Sequence, residues 1–146
     1  MSLTYVTSSL IVTYNGQKRI INHLRFTEWS DHSCPDDVQG FLSFLLEIDS
    51  LHRRSSREGS GFGRKNKVQE LAPIVVHCSA GVGRSGAVIL CDSLLKFLDY
   101  NSTDQLDIAK ALTQLRFQRM LSVQHAGQFR FIYDVLLQYL TNSRLI

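Results

Sequence analysis

No apolar run in the sequence reaches the roughly 20 residues that a bilayer-spanning helix requires, and the first residues do not form a secretory leader. Cysteine is scarce. Three residues, an odd number without framework spacing, exclude a disulfide scaffold. The five histidines are scattered and none is paired with cysteine at zinc spacing. No metal or other cofactor is expected. Charge of one sign is also missing from most of the chain. The net charge of +3 is concentrated between His52 and Lys67, where Arg53, Arg54, Arg57, Arg64, Lys65 and Lys67 face Glu58 alone. So local an excess does not describe a nucleic-acid-binding fold. What remains is an ordinary globular composition, 44% hydrophobic and 20% charged. At 146 residues it is enough for one domain.

The informative stretch is IVVHCSAGVGRSG, from Ile74 to Gly86. Ile74-Val75-Val76 reads as a short buried strand. Ser79, Ala80, Gly81, Val82 and Gly83 form a loop of small residues, and a helical pattern follows through Ala87, Val88, Ile89, Leu94 and Leu95. Successive backbone N–H groups of such a loop can turn inward around an anion. The helix behind it adds its own unpaired N–H groups and the positive end of its dipole. Arg84 supplies a guanidinium that can grip two phosphate oxygens. Cys78 opens the loop in the same field, which lowers a thiol pKa into the range of roughly 3.5–7.5. A thiolate facing a bound phosphate is a nucleophile.

Cysteine, five residues, arginine and serine, in the longer form HCSAGVGRSG, resembles the signature of the cysteine-dependent protein tyrosine phosphatases. Two further segments resemble the same family. Trp29-Ser30-Asp31-His32 is similar to its mobile loop, whose usual core is Trp-Pro-Asp-His; the resemblance makes Asp31 the general acid. Ser30 replaces the proline, which removes a φ restraint from that loop. VQHAGQFRFIY is similar to its glutamine loop, which implies that Gln124 and Gln128 position the hydrolytic water. His125 stands where the family has threonine. The resemblance further implies that His77 orients Cys78 and that Ser85 hydrogen-bonds the thiolate. The phosphate cradle is then Cys78, Ser79, Ala80, Gly81, Val82, Gly83 and Arg84.

In chain order, LTYVTSSLIVTY and RIINHLRF flank Asn15-Gly16, a hairpin turn signal. A helix follows the Pro35-Asp36-Asp37 start, burying Val38, Phe41, Leu42, Leu45 and Leu46 and ending near Leu51. The basic stretch from about 52 to 70 reads as a flexible insertion. Arg53-Arg54-Ser55-Ser56 within it has the look of a basophilic-kinase site, and its charge could instead steer acidic phosphopeptides. A third helix spans about Leu106 to Arg116 with Ile108, Leu112 and Leu115 inward. A last one, from about Ala126 to Leu140, buries Phe129, Ile132, Leu136 and Leu140. Cys91 is an inert core thiol.

The expected fold is α/β, a partial twisted mixed sheet with about four helices. Wording such as DVQGFLSFL and QYLTNSRLI is most similar to the FERM-containing non-receptor phosphatases of the Pez type, over the C-terminal half of that catalytic domain. The resemblance implies residues 1–146 as a partial domain, phosphotyrosine in a protein or peptide as substrate, and a phosphocysteine intermediate. It implies no nucleic-acid partner, no membrane span and a cytoplasmic setting, with cytoskeletal association in the full-length relative. A rival class stays open: a phosphate- or phosphopeptide-binding fragment that traps or regulates without turnover. Apolar faces left uncovered by a half-domain are expected to drive self-association or pairing with the other half.

Overall fold

The computed structural model describes residues 4–30, 33–58, 73–101, 105–143. Two strands, β1 (Tyr5–Tyr14) and β2 (Gln17–Phe26), precede four helices: α1 (Val38–Glu58), α2 (Gly83–Tyr100), α3 (Ile108–Gln118) and α4 (Ala126–Asn142). The strands form one antiparallel ribbon, in register from Tyr5↔Phe26 to Tyr14↔Gln17. Asn15 and Gly16 turn it with φ of 48° and 76°, the left-handed pair that matches strand twist in a two-residue hairpin.

Three of the four helix starts carry a side-chain cap. Asp37 accepts a hydrogen bond from the Gly40 amide at 2.8 Å, and Asp107 accepts one from the Lys110 amide at 2.8 Å; both are side-chain caps. His125 Nδ1 accepts from the Gln128 amide at the start of α4. At the other end of α3, the Arg119 amide bonds back to the Leu115 carbonyl.

The helices bury one continuous core. α4 packs against both α1 and α2, and α3 packs against α2. At its centre Phe41, fully buried, meets Phe26, Trp29, Phe44 and Phe131 with ring centroids 5.0–6.2 Å apart. Edge-to-face geometry among these rings adds to the area they bury. The same cluster fastens the base of the ribbon, through Phe26 and through Tyr5 on Phe44.

Several expectations change. Ile74-Val75-Val76 is not a strand. Residues 73–78 join no ladder, and Val75 is 86% exposed. A strand exists by pairing, and among the described residues the sheet consists of β1 and β2 alone. α1 continues through Glu58, so the first residues of the basic stretch are helical; the rest of that stretch lies outside the described residues. Leu46 is exposed, and Phe44 takes its place in the core. On α4 the buried line runs through Phe131, Ile132, Val135 and Leu136. Phe129 is half-buried against this core and meets Tyr133 edge to face.

The aromatic cluster sets the stability of the whole. Phe41→Ala is expected to cost about 3–5 kcal/mol, whereas Leu46→Ala, at an exposed site, should cost less than about 1 kcal/mol. Urea unfolding followed by circular dichroism measures both.

Candidate active site

The irregular segment 73–78 ends at Cys78, and the backbone then bends through residues 79–82 into α2. Gly81 takes a φ of +73°, which glycine alone adopts cheaply. That turn aims the Gly81 amide back at the nucleophile, 3.2 Å from the sulfur. Val82 occupies the N-cap of α2 and provides no side-chain cap. The first N–H groups of an 18-residue helix are thus left to whatever sits in the loop, the arrangement that binds anions at helix N-termini.

The thiol of Cys78 responds to this setting. Burial pushes its pKa up. The Ser85 hydroxyl and the amides of Ser85, Gly81 and Val82 push harder the other way, and the balance is lowered from 9.0 to about 7. Ser85 Oγ is buried without a formed hydrogen bond, so it acts on the thiolate as a nearby dipole rather than as a bonded donor. The other thiols move oppositely. Burial raises Cys91 far above its ordinary value, and burial together with the charge of Asp134 raises Cys34.

Arg84 leaves the first turn of α2 and joins two parts of the site. Its Nη2 donates to Ser79 Oγ at 2.7 Å and its Nη1 to the Trp29 carbonyl at 3.0 Å. Trp29 in turn donates its indole N–H to the Ser33 carbonyl at 2.8 Å. The Ser30 and Ser33 hydroxyls lie 2.7 Å apart, and Ser33 Oγ also donates to the Ser30 carbonyl. Ser30 and Ser33 are thus tied to each other by hydrogen bonds. Asp31, expected as the acid, and His32 lie outside the described residues.

The two glutamines come to the loop from the other side. A Cβ placed on Gly83 would stand 2.5 Å from Gln124 Oε1 and 3.1 Å from Gln128 Nε2, so both amides rest against the cradle and a side chain there would displace them. Gln128 is buried, and its Oε1 accepts from the Gln124 amide at 2.9 Å. The turn bearing them is fixed by the Val123 amide, which donates to the Val82 carbonyl at 3.1 Å. Gly86 permits that approach: a Cβ on it would sit 2.7 Å from the Val123 nitrogen.

Two participants escaped the sequence reading. Arg116 donates from Nε to the Ser122 carbonyl at 2.9 Å and from Nη2 to the Val123 carbonyl at 2.6 Å. It thereby clamps a turn in which Leu121 and Val123 both hold positive φ, a costly conformation for such residues. Arg116 had no signature; only its place in the RFQRM segment before the glutamines pointed to it. The second is His23 on β2, whose ring stacks on His77 at 6.5 Å and 13°. His77 is itself exposed. An open cleft of about 430 Å³ nearby is lined by Thr27, Glu28, Trp29, Ser30, Ser33, Cys34 and Asp36. It holds none of the cradle residues.

The family model described as protein-tyrosine phosphatase matches residues 2–138. Human tyrosine-protein phosphatase non-receptor type 14 is 44% identical over 99% of this chain. The rat tyrosine-protein phosphatase non-receptor type 21 is 42% identical over 97%, and a Lar-like tyrosine-protein phosphatase of Caenorhabditis elegans is 37% identical over 92%. The chain spans about 12% of the length of the first two. Among the described residues no group of three or more His, Cys, Asp or Glu is placed to hold a metal ion, and no helix is long and apolar enough to cross a membrane.

The lowered pKa of Cys78 has a direct readout. Alkylation by iodoacetamide follows the thiolate fraction, so its rate at Cys78 should rise with pH to a midpoint near 7. Ser85→Ala removes a group that favours the thiolate and should move the midpoint upward. Cys91 should stay unmodified until the chain unfolds. Peptide mass mapping across pH distinguishes the three thiols.

Proposed function

Since the chain belongs to the protein-tyrosine phosphatase family, we propose that it hydrolyses phosphotyrosine in proteins through a phosphocysteine intermediate. The observation that carries this reading is the convergence on one uncapped helix N-terminus of a thiol with lowered pKa, an arginine and two amides.

In the first step the Cys78 sulfur attacks phosphorus, and the bond from phosphorus to the tyrosyl oxygen breaks. The loop amides from Ser79 to Gly83 and the Arg84 guanidinium hold the three non-bridging oxygens, whose charge shifts as the transition state forms. For Arg84 to serve there it has hydrogen bonds to exchange, since its tips now hold Ser79 and the Trp29 carbonyl. Asp31 gives its proton to the leaving oxygen, so the product is a neutral phenol. In the second step a water oriented by Gln124 and Gln128 attacks phosphorus. The sulfur–phosphorus bond breaks, Asp31 takes the water's proton, and inorganic phosphate and the thiolate are released. Ser85 eases that departure by favouring the charged sulfur. His77 sets the direction from which the segment 73–78 delivers Cys78. A half-buried cysteine with a lowered pKa works only where thiols stay reduced, which fits a cytoplasmic setting.

Turnover of para-nitrophenyl phosphate by the purified chain tests the reading. Cys78→Ser should remove turnover and leave oxyanion binding in place. Oxyanion binding by the unaltered chain without any turnover would make it a phosphate-binding module instead. Asp31→Ala should slow phosphotyrosine hydrolysis by roughly 10²–10⁴-fold, but slow an ester with a better leaving group far less. Equal losses on both substrates would take Asp31 out of the acid role.

A further inference from the structure

Serine, threonine, aspartate and asparagine are the residues that favour a helix N-cap, yet α4 starts on a histidine. The Nδ1 of His125 accepts from the Gln128 amide at 3.3 Å. In a neutral imidazole one nitrogen accepts and the other carries the proton, so here the proton lies on Nε2. That nitrogen is buried and has no hydrogen-bond partner among the described residues. A buried donor without an acceptor is unfavourable, so Nε2 is not what holds the ring in place. The imidazole has one hydrogen bond among the described residues, and it goes to Gln128. Gly127 leaves room for the ring over the first turn: a Cβ there would stand 3.2 Å from Nδ1 and 3.4 Å from Cε1.

The residue so capped is the glutamine nearest the cradle chemistry. Its side chain is buried, and Oε1 accepts from the Gln124 amide at 2.9 Å. The other end of the same amide, Nε2, lies 3.1 Å from a Cβ placed on Gly83. The backbone of Gln128 is thus fixed by the His125 side chain, and the side chain of Gln128 by the Gln124 backbone. Residues 124–128 close on themselves, and the amide that meets the cradle is held from both sides. The other two side-chain caps differ in this respect. Asp37 and Asp107 bond to the amides of Gly40 and Lys110, which have no place in the reaction.

We infer that His125 is a positioning residue for the second step of the reaction. By capping Gln128 through Nδ1 it holds the glutamine amide where the hydrolytic water is oriented, and it takes no part in the attack by Cys78. The inference rests on the hydrolysis through Cys78 proposed above. A displacement of about 1 Å in a group that orients a reactant can cost about 10²-fold in rate, so a cap on the backbone of such a group bears on the step that the group serves.

Steady-state and stopped-flow kinetics with para-nitrophenyl phosphate, on two variants, test it. His125→Asn keeps an acceptor at the branch position of Nδ1 and is itself a favoured cap. His125→Phe keeps a ring and has no acceptor. The good leaving group makes the first step fast, so hydrolysis of the intermediate sets kcat, whereas kcat/KM reports formation of the phosphocysteine. His125→Phe should lower kcat about tenfold or more, lower KM in proportion and leave kcat/KM unchanged. A burst of para-nitrophenol equal to the amount of Cys78 should precede its slow phase. His125→Asn should keep the kcat of the unaltered chain. A chain that folds only in part loses kcat and kcat/KM together, so equal losses in His125→Phe would overturn the inference. Full kcat in His125→Phe, or the same defect in His125→Asn, would also overturn it. Absence of turnover in the unaltered chain would instead overturn the proposed hydrolysis, and this inference with it.

Discussion

The carbonyl of Val82 accepts two hydrogen bonds, and the site depends on the pair. One comes from the Gly86 amide at 3.0 Å and closes the first turn of α2; the other comes from the Val123 amide at 3.1 Å. The first fixes the helix whose free N–H groups face the cradle. The second brings the glutamine-bearing turn against it. One oxygen thus sets the distance between the groups assigned to attack and those assigned to hydrolysis. Gly83 and Gly86 both serve this contact, Gly83 by admitting the amides and Gly86 by admitting the backbone. Arg116 holds the turn from behind through the carbonyls of Ser122 and Val123. The positive φ of Leu121 and Val123 is the local strain that this clamp offsets.

Arg84 plays the corresponding part on the other side. A guanidinium is a rigid fork that can satisfy two acceptors at once, and here the acceptors belong to different loops. The resting site therefore links the cradle to the segment around Trp29 before any substrate arrives. Trp29 is at once a core residue, packed on Phe41 and Phe131, and the residue just ahead of Ser30 and Asp31. The aromatic core that stabilises the chain also fixes one end of the loop that carries the expected acid.

Much of this was legible in the sequence because the information is local. A small-residue loop between a cysteine and an arginine specifies its own backbone conformation, and the helices announce themselves by apolar spacing and, for α1, by Pro35-Asp36-Asp37 ahead of it. Asn15-Gly16 likewise dictates its turn. What sequence spacing could not show was context. Ile74-Val75-Val76 is as apolar as a buried strand, yet it lacks a pairing neighbour among the described residues, and β structure is a property of pairs. On α4 the fully buried line also takes in Phe131 and Val135, while Phe129 and Leu140 are only partly buried against the core. Arg116 and His23 act through a carbonyl pair and a ring that lie close only after folding. Neither carries a pattern of its own.

The central claim is that phosphorus passes through the sulfur of Cys78. Rapid acid quench during turnover of a phosphotyrosine peptide, followed by mass mapping, reads this directly. The measurement is best made on Gln128→Ala, where loss of the amide held against Gly83 slows hydrolysis of the intermediate. A single phosphoryl group on the peptide that contains Cys78, rising and then decaying with turnover, is the predicted result. Continued release of phosphate with no phosphorus on that peptide at any quench time would contradict it.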